Sequence, residues 1–329
     1  MNYAKLCVLS AILVVHFCSS AFAKTVALIA SKDCRDQIGD MVCLVKPVQH
    51  LFRRSDLLSR TCLPSSDTYK STFLEIFDAY PKPLRNKMCG LNRIFIEQSF
   101  WASGYAHVKT NAIGVRQDIL DKHLSLSEWA TWKERRAYDN PKASDKADTD
   151  LPRVSAHLPL LSNGAAYYIV THELAHLIDM ATGASDLGKQ SFADWSWKKA
   201  NKRTVPQGLS PDWKRPCFYF CGHRSHATTR PQNAYEMLRK SPFISLYATR
   251  NPAEDFAETL TFFVSSKQTG FRYVIHLADG SEIDIPEKLE SELMRPKIEY
   301  IVNMLQRMRY QHRKCSSRHD REGRASACS

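Results

Sequence analysis

The stretch Gly164-Ala-Ala-Tyr-Tyr-Ile-Val-Thr-His172-Glu173-Leu-Ala-His176-Leu-Ile-Asp-Met-Ala-Thr-Gly183 has the strongest helical pattern in the chain. It is apolar on most sides and ends at a glycine, which predicts a buried helix. Because side chains four residues apart lie about 40° apart around a helix, His172 and His176 project from one face and can share a tetrahedral zinc ion. Glu173 stands one step round from His172, where it can hold a water bound to that ion and act as the catalytic base.

Two histidines do not complete a catalytic zinc site, which usually has three protein ligands and an open position for water. The metzincin pattern would place a glycine and a histidine at positions 179 and 182, but the chain has Asp179 and Thr182 there, so that family is excluded. A helix predicted to begin at Asn251-Pro252, with Asn as its cap and Pro in its first turn, carries a better candidate. We assign Glu254 of this helix as the third ligand.

A second carboxylate on the same helix is expected to support a ligand rather than to bind the ion. Glu258 lies four residues after Glu254 and therefore on the same helix face. It can accept the outer N–H of a ligand imidazole and so fix the tautomer of that ring. Asp179, seven residues after His172 and on the face of the histidines, is the alternative acceptor.

The two segments together resemble the gluzincins, and Tyr247 to Glu258 is similar to the corresponding helix in proteins like the anthrax lethal factor catalytic domain. The resemblance implies an α+β, zincin-like metallopeptidase fold with an active-site helix, a small mixed sheet with a substrate-binding edge strand, and a helical C-terminal part. It also implies one catalytic Zn²⁺ and a tyrosine, Tyr247, that stabilises the oxyanion. A buried aromatic side chain at the start of a helix is the alternative role for Tyr247.

A short predicted strand upstream is the candidate for substrate binding. Zincins bind an extended substrate along an edge strand beside the metal-binding helix, backbone to backbone. The run Asn111, Ala112, Ile113, Gly114 and Val115 is the best candidate for this edge strand. An ordinary core strand is the alternative interpretation.

The N-terminus has the pattern of a Sec signal peptide. Residues 1–23 contain one lysine, an apolar stretch from Cys7 to Phe17 and a small-x-small end at Ala21-Phe22-Ala23, which predicts cleavage after Ala23. A retained anchor is the alternative, but the apolar stretch is short for a bilayer span of about 20 residues. We therefore expect a secreted or periplasmic protein with no transmembrane segment after signal removal.

Cysteine usage agrees with export. Of the ten cysteines in the chain, two lie in the predicted signal peptide, and the even number that remains predicts up to four disulfides, with free thiols as the alternative. Their clustering favours local pairings, including Cys217 with Cys221, whereas a second zinc site with His223 and His226 is the alternative there. The remaining cysteines are Cys34, Cys43, Cys62, Cys89, Cys217, Cys221, Cys315 and Cys328.

The pattern along the chain predicts one catalytic domain with extensions. Periodicity and turn residues predict helices from residue 69, over 124–136 and over 297–312, strands at 93–96 and 112–115, and a hairpin across Asp279-Gly280. The predicted units are a signal peptide (1–23), a cysteine-bearing N-terminal segment (24–66), a zincin-like catalytic domain (67–313) with an insertion between the metal-binding helices (184–250), and a basic C-terminal tail (314–329).

The formal net charge of +12 and the position of the basic residues bear on partners. Much of the excess lies towards the C-terminus, so an anionic cell-envelope polymer is a candidate partner of the basic tail, while nucleic acid is not expected. Solvated charge without a partner is the alternative.

Three functions remain open at this level. The leading hypothesis is a zinc metallopeptidase that hydrolyses peptide bonds of proteins or peptides. A zinc amidase of the cell wall and a non-catalytic, zinc-stabilised module that binds an anionic polymer are the alternatives.

Overall fold

The computed structural model describes residues 34–46, 60–98, 100, 102–122, 124–138, 150–188, 190–200, 203–207, 209, 218 and 230–322, with only the backbone at 200, 203–205 and 310–322. The predictions for the signal peptide and its cleavage after Ala23 lie outside these residues. So do those for Cys217, Cys221, His223 and His226. Of the predicted basic tail, only the helical backbone as far as residue 322 is described.

The fold is mixed α+β, as predicted. The described helices are α1 (Arg35–Met41), α2 (Asp67–Ala79), α3 (Lys82–Cys89), α4 (Gln117–Asp121), α5 (Leu126–Arg136), α6 (Gly164–Thr182), α7 (Pro231–Arg239), α8 (Pro252–Ser266), α9 (Ile285–Glu290) and α10 (Arg295–Glu322). The described strands are β1 (Val42–Val45), β2 (Arg93–Glu97), β3 (Gly104–His107), β4 (Ala112–Arg116), β5 (Arg153–His157), β6 (Trp197–Ala200), β7 (Arg203–Pro206), β8 (Arg272–His276) and β9 (Glu282–Asp284). Short 3-10 turns occur at Val108–Thr110, Phe192–Trp195 and Tyr247–Arg250.

The largest sheet has the strand order β1-β2-β4-β3. The first three of these strands are parallel, and β3 runs antiparallel to β4. One face of the sheet contributes Ile94 and Ile113 to the main core, where the side chains of α6 also lie. The other face carries a small cluster around Phe95, with Tyr105 packed against it. The sheet is therefore covered on the side that faces α6, and β3 forms one of its edges.

The prediction that residues 111–115 form an edge strand is wrong. The strand they form, β4, pairs with β2 on one side and with β3 on the other. Ala112 and Ile113 are fully buried, as expected for an apolar run in an interior strand. Asn111 has a left-handed backbone (φ 46°), and its side-chain amide donates to the Gly90 carbonyl, so it terminates a turn. Gly114 lies under the ring of Tyr105, which a Cβ would overlap.

The two helices singled out in the sequence form as predicted. Asn163 caps α6 by accepting from the Ala166 N–H at 2.9 Å, and Gly183 ends this helix with φ 67°. Asn251 caps α8 by accepting from the Glu254 N–H at 2.9 Å. Both helices are buried along most of their length, and they pack against each other. Local capping signals therefore fix where the candidate ligands begin to project.

The described part of the N-terminal segment is integrated into the sheet. Its strand β1 pairs with β2, and disulfides join Cys34 to Cys89 and Cys43 to Cys62. The first of these bonds crosses the boundary that the sequence suggested at residue 66. Both bonds agree with the preference for local pairings that the clustering of the cysteines indicated.

The remaining predicted elements are also present. Ser125 caps α5 with a reciprocal capping box to Glu128, and β8 and β9 form a hairpin whose turn contains Gly280 at φ 81°. The last helix, α10, is longer than predicted. Among the described residues, the structure contains no helix with the length and apolar character needed to cross a bilayer.

A fully buried ion pair anchors α8. The carboxylate of Asp255 accepts from Lys297 Nζ at 2.6 Å, from Ser196 Oγ at 2.7 Å and from Trp197 Nε1 at 2.9 Å. Both charged side chains have no exposed surface. Asp255 therefore joins α8 to α10 through Lys297, and to the segment predicted as an insertion through Ser196 and Trp197. Asp255 is the residue that follows Glu254 in the sequence.

Removing one partner of this pair should strongly destabilise the protein. We expect Asp255→Ala to lower the free energy of unfolding by about 3–5 kcal/mol, because it leaves the charge of Lys297 buried without a counter-ion. The matched control is Asp78→Ala, which breaks the exposed pair with Arg35, whose side chains are 45% and 46% exposed, and should cost less than about 1 kcal/mol. Urea denaturation measures both values. Equal costs for the two variants would contradict the anchoring role of Asp255.

Candidate metal centre

The three predicted ligands converge between α6 and α8. His172 Nε2 lies 3.1 Å from His176 Nε2 and 3.1 Å from Glu254 Oε2. His176 Nε2 lies 3.3 Å from the same carboxylate oxygen. The three donor atoms therefore form a nearly equilateral triangle, called the donor triangle below. The two histidines are four residues apart on α6, and Glu254 lies on α8, 82 residues after His172. The cluster can hold a metal ion.

The donor set fits a small divalent ion. Tetrahedral bonds of about 2.0–2.1 Å to nitrogen and oxygen place neighbouring ligand atoms roughly 3.3 Å apart, close to the spacing observed. The three atoms carry lone pairs that repel one another unless a proton or a cation lies among them. Burial alone lowers the pKa of His172, but the carboxylates of Glu254 and Glu258 outweigh it and raise that pKa to about 10. The arrangement thus favours positive charge at its centre.

Glu258 supports His172 from the side away from this triangle. Its Oε1 lies 3.1 Å from His172 Nδ1, although the angle falls outside that of a good hydrogen bond. Glu258 is completely buried and also accepts from the hydroxyls of Tyr168 at 2.9 Å and Ser245 at 2.6 Å. Burial raises the pKa of Glu258, but Lys133 and His172 lower it by a larger amount, so that the pKa is about 2. An ionised carboxylate therefore faces the imidazole.

Asp179, the alternative acceptor, has a different principal contact. Its Oδ1 accepts from the Ser185 backbone N–H at 2.7 Å, just beyond the end of α6. This contact stabilises the turn that follows the helix. The structure thus places Glu258, and not Asp179, against the outer nitrogen of His172.

Lys133 belongs to the site, and sequence reasoning missed it. This lysine of α5 is only 5% exposed, and its Nζ donates to Glu258 Oε2 at 2.6 Å and to the Tyr168 hydroxyl at 3.1 Å. It also lies 5.3 Å from the centre of the Tyr247 ring. The sequence places Lys133 four residues after Trp129, on the same face of a predicted helix, which indicates a lysine that faces the core. Its partner, Glu258, is 125 residues away in the sequence. No local pattern identifies such a pair.

Glu173 lies in the cleft between α6 and β3. It is 7% exposed, and burial raises its pKa while the two nearby histidines lower it. A Cβ on Gly104 would come within 3.0 Å of Glu173 Oε1 and 2.7 Å of Ile169 Cγ2. Glycine at position 104 therefore lets the edge strand approach the predicted base closely. A carboxylate in such a place is suited to proton transfer.

Tyr247 reaches the predicted ligands from the turn before α8. Its hydroxyl donates to Glu254 Oε1 at 3.2 Å and accepts from Arg250 Nη1 at 2.9 Å. The ring centre lies 6.0 Å from that of His172. Tyr247 is thus half-buried at the metal centre, with its polar end towards the donor triangle.

The site opens into a cleft of about 390 Å³. One wall is β3 with the residues before and after it, and the other is the face of α6 that carries His172 and His176. The start of α8 closes one end. The donor triangle is therefore accessible to a molecule larger than water. Of the substrate-binding residues predicted at 111–114, none lines this cleft among the described residues.

Metal binding should displace a proton from this centre. Below its pKa of about 10, His172 is mostly protonated in the metal-free protein, and a ligand imidazole must be neutral. We expect Zn²⁺ at pH 7 to release about one proton per ion, and the apparent affinity to fall about tenfold per unit as the pH decreases from 8 to 6.5. Calorimetry in buffers of different ionisation enthalpy measures the release. The control His276→Ala, outside the site, should give the same count, and binding without proton release would contradict the proposed arrangement.

Loss of Lys133 should weaken metal binding through Glu258. We expect Lys133→Met to lower Zn²⁺ affinity by about 10–100-fold, because Glu258 loses the cation that holds it ionised against His172. Lys288→Met is the matched control, since Lys288 is a buried lysine whose Nζ donates to main-chain carbonyls near the end of α7. Competition with a chromophoric chelator measures both affinities. If the two variants bind Zn²⁺ equally well, the role assigned to Lys133 is wrong.

Comparison with known proteins adds no relative to this description. No protein-family model, no curated protein and no solved structure matches the chain. The features available for assigning a function are therefore those of the site itself: two imidazoles and a carboxylate within 3.3 Å of one another, a buried glutamate beside them, and an adjoining cleft.

Proposed function

We propose that the protein is a zinc-dependent metallopeptidase that hydrolyses peptide bonds. The observation that carries the proposal is the donor triangle of His172, His176 and Glu254, with Glu173 beside it in an open cleft. Two imidazoles and one carboxylate, with a position left open, are the ligand set of catalytic zinc sites, whereas structural zinc sites have four protein ligands. When bound, zinc supplies Lewis acidity that polarises a carbonyl and lowers the pKa of water.

In the proposed hydrolysis, Glu173, Tyr247 and β3 have separate roles. Glu173 accepts a proton of the attacking water and delivers it to the leaving amine, so that water and an amide become a carboxylate and a protonated amine. Tyr247 donates its hydroxyl hydrogen bond to the oxygen of the scissile carbonyl as negative charge develops there. The edge of β3 on the side away from β4 pairs with the backbone of an extended substrate, the role that the sequence had assigned to residues 111–114.

The same contacts support the gluzincin-like interpretation. Glu254 projects from a second helix rather than from an extension of α6, and Tyr247 stands seven residues before it, with its hydroxyl 3.2 Å from the carboxylate. We propose on this basis a zincin-like arrangement of α6, β3 and α8, similar to proteins like the anthrax lethal factor catalytic domain. The basic C-terminal part is proposed to contact an anionic envelope polymer.

Export is part of the proposal. Two disulfides among the described residues fit an oxidising compartment, as does the predicted signal peptide. A secreted or periplasmic peptidase would meet protein or peptide substrates there. A cell-wall amidase shares this chemistry, but an edge strand beside the metal centre favours an extended peptide. A purely structural zinc module would not need a buried glutamate in an accessible cleft.

Replacement of the base separates catalysis from metal binding. We expect Glu173→Gln to reduce peptide hydrolysis by at least about 10³-fold, because the amide cannot accept the proton of water, while zinc content stays unchanged. The control Glu299→Gln removes an exposed glutamate of α10 and should retain full activity. Hydrolysis of an unstructured protein such as casein, followed by mass spectrometry, measures activity. Full activity of Glu173→Gln would refute the assignment, and cleavage of wall fragments alone would favour the amidase.

A further inference from the structure

Arg250 lies just before α8 and contacts two residues of the proposed active site. It is the last residue of the 3-10 turn Tyr247–Arg250, and residues three apart in a 3-10 helix lie one above the other. The guanidinium is therefore close to the ring of Tyr247, with Arg250 Cζ 5.6 Å from the ring centre. The side chain lines the cleft and is 32% exposed. A charged group thus stands beside the proposed oxyanion donor.

One nitrogen of Arg250 is close to both of these residues. Arg250 Nη1 donates to the Tyr247 hydroxyl at 2.9 Å and lies 3.5 Å from Glu254 Oε1. This carboxylate oxygen is the outer one, because the other oxygen, Oε2, belongs to the donor triangle. The Tyr247 hydroxyl donates to the same outer oxygen at 3.2 Å. Since each terminal guanidinium nitrogen carries two hydrogens, Arg250 Nη1 can donate to the hydroxyl and to the carboxylate together.

The direction of these hydrogen bonds bears on the role proposed for Tyr247. A phenol has one hydrogen to donate, and because the Tyr247 oxygen accepts from Arg250, this hydrogen points away from the guanidinium. Its acceptor in the structure is Glu254 Oε1. Donation to a developing oxyanion requires that the hydrogen leave this acceptor. The outer oxygen of Glu254 then needs another donor, since carboxylates that bind metal ions are themselves held by hydrogen bonds.

The surroundings hold the ring of Tyr247 while its hydroxyl hydrogen changes partner. Phe218 packs edge-on against this ring, with the ring centres 4.9 Å apart. Lys133 Nζ lies 5.3 Å from the centre of the same ring. A hydroxyl hydrogen rotates about the C–O bond without any movement of the ring. The change of acceptor therefore needs no rearrangement of the packed side chains.

We infer that Arg250 is a positioning residue that frees the hydroxyl of Tyr247 to donate to the oxyanion. This inference rests on the proposed peptidase function. When the hydroxyl turns to the oxygen of the scissile carbonyl, Arg250 Nη1 holds the outer oxygen of Glu254 in its place. Donation from Arg250 to the hydroxyl oxygen also strengthens the bond that the hydroxyl donates, because hydrogen bonds in a chain polarise one another. Arg250 thus acts through Tyr247 and Glu254 without contacting the substrate.

Affinities for two ligands test the inference separately from the rate of hydrolysis. The ligands are a peptide that spans a casein cleavage site of the wild-type protein and its phosphonamidate analogue, whose charged tetrahedral centre resembles the transition state. The analogue is titrated into zinc-loaded protein, and the peptide into zinc-loaded Glu173→Gln. We expect Arg250→Met to weaken binding of the analogue by about 10–100-fold and to change the affinity for the peptide by less than about twofold. Equal loss of both affinities, or loss of neither, would overturn the inference.

A double-mutant cycle shows whether Arg250 acts through Tyr247. In the Tyr247→Phe background, Arg250→Met should change kcat and the affinity for the analogue by less than about twofold, because the hydroxyl that Arg250 supports is absent. Arg250→Lys keeps the positive charge and should restore part of kcat with KM unchanged. The control Arg272→Met removes an exposed arginine of β8 and should leave all of these quantities unchanged. Additive effects of Arg250→Met and Tyr247→Phe would contradict the inference.

Failure of the inference and failure of the peptidase proposal give different results. If wild-type protein hydrolyses casein and Arg250→Met has the same kcat, the inference alone is wrong. If zinc-loaded wild-type protein hydrolyses no site in casein, the peptidase proposal is refuted and the inference falls with it.

Discussion

The fold holds three donor atoms so close together that their lone pairs repel one another, and the properties of the candidate site follow from this repulsion. His172, His176 and Glu254 present donor atoms within 3.3 Å of one another at the floor of the cleft. A positive charge among these atoms relieves that repulsion, and although burial lowers the pKa of His172, the carboxylates of Glu254 and Glu258 raise it by more. The packing of α6 against α8 therefore holds the three donor atoms in an arrangement that is pre-organised for a cation. Glu173 lies beside this arrangement, where it can act on a molecule bound to the cation.

Two buried lysines pair with carboxylates of α8, the helix that carries Glu254. On α8, Asp255 pairs with Lys297 and Glu258 pairs with Lys133, and these contacts come from α10 and α5. Breaking a buried pair is costly, so the rotation of α8 about its axis is restricted from two sides. With that rotation fixed, Glu254 points towards α6. The ion pairs thus contribute orientation to the site in addition to any contribution to stability.

Local signals in the sequence were sufficient to predict the two helices and the three residues of the donor triangle, but not the residues around them. The i, i+4 spacing of the histidines, the cap at Asn251 and the glycine at 183 identified both helices. The order of the strands could not be predicted in this way. The buried, apolar residues of β4 indicate an interior position, but they do not indicate which strands pair with it. The true edge, β3, has a weak pattern, Gly-Tyr-Ala-His. Lys133 was missed because its partner lies 125 residues away.

We expect one divalent ion to bind to these three side chains and to no other protein ligand. Anomalous diffraction at the zinc edge, from crystals of the protein loaded with one equivalent of Zn²⁺, tests it directly. We expect a single strong peak about 2.0–2.2 Å from His172 Nε2, His176 Nε2 and a carboxylate oxygen of Glu254. A peak bound elsewhere, or the absence of any peak between α6 and α8, would contradict it.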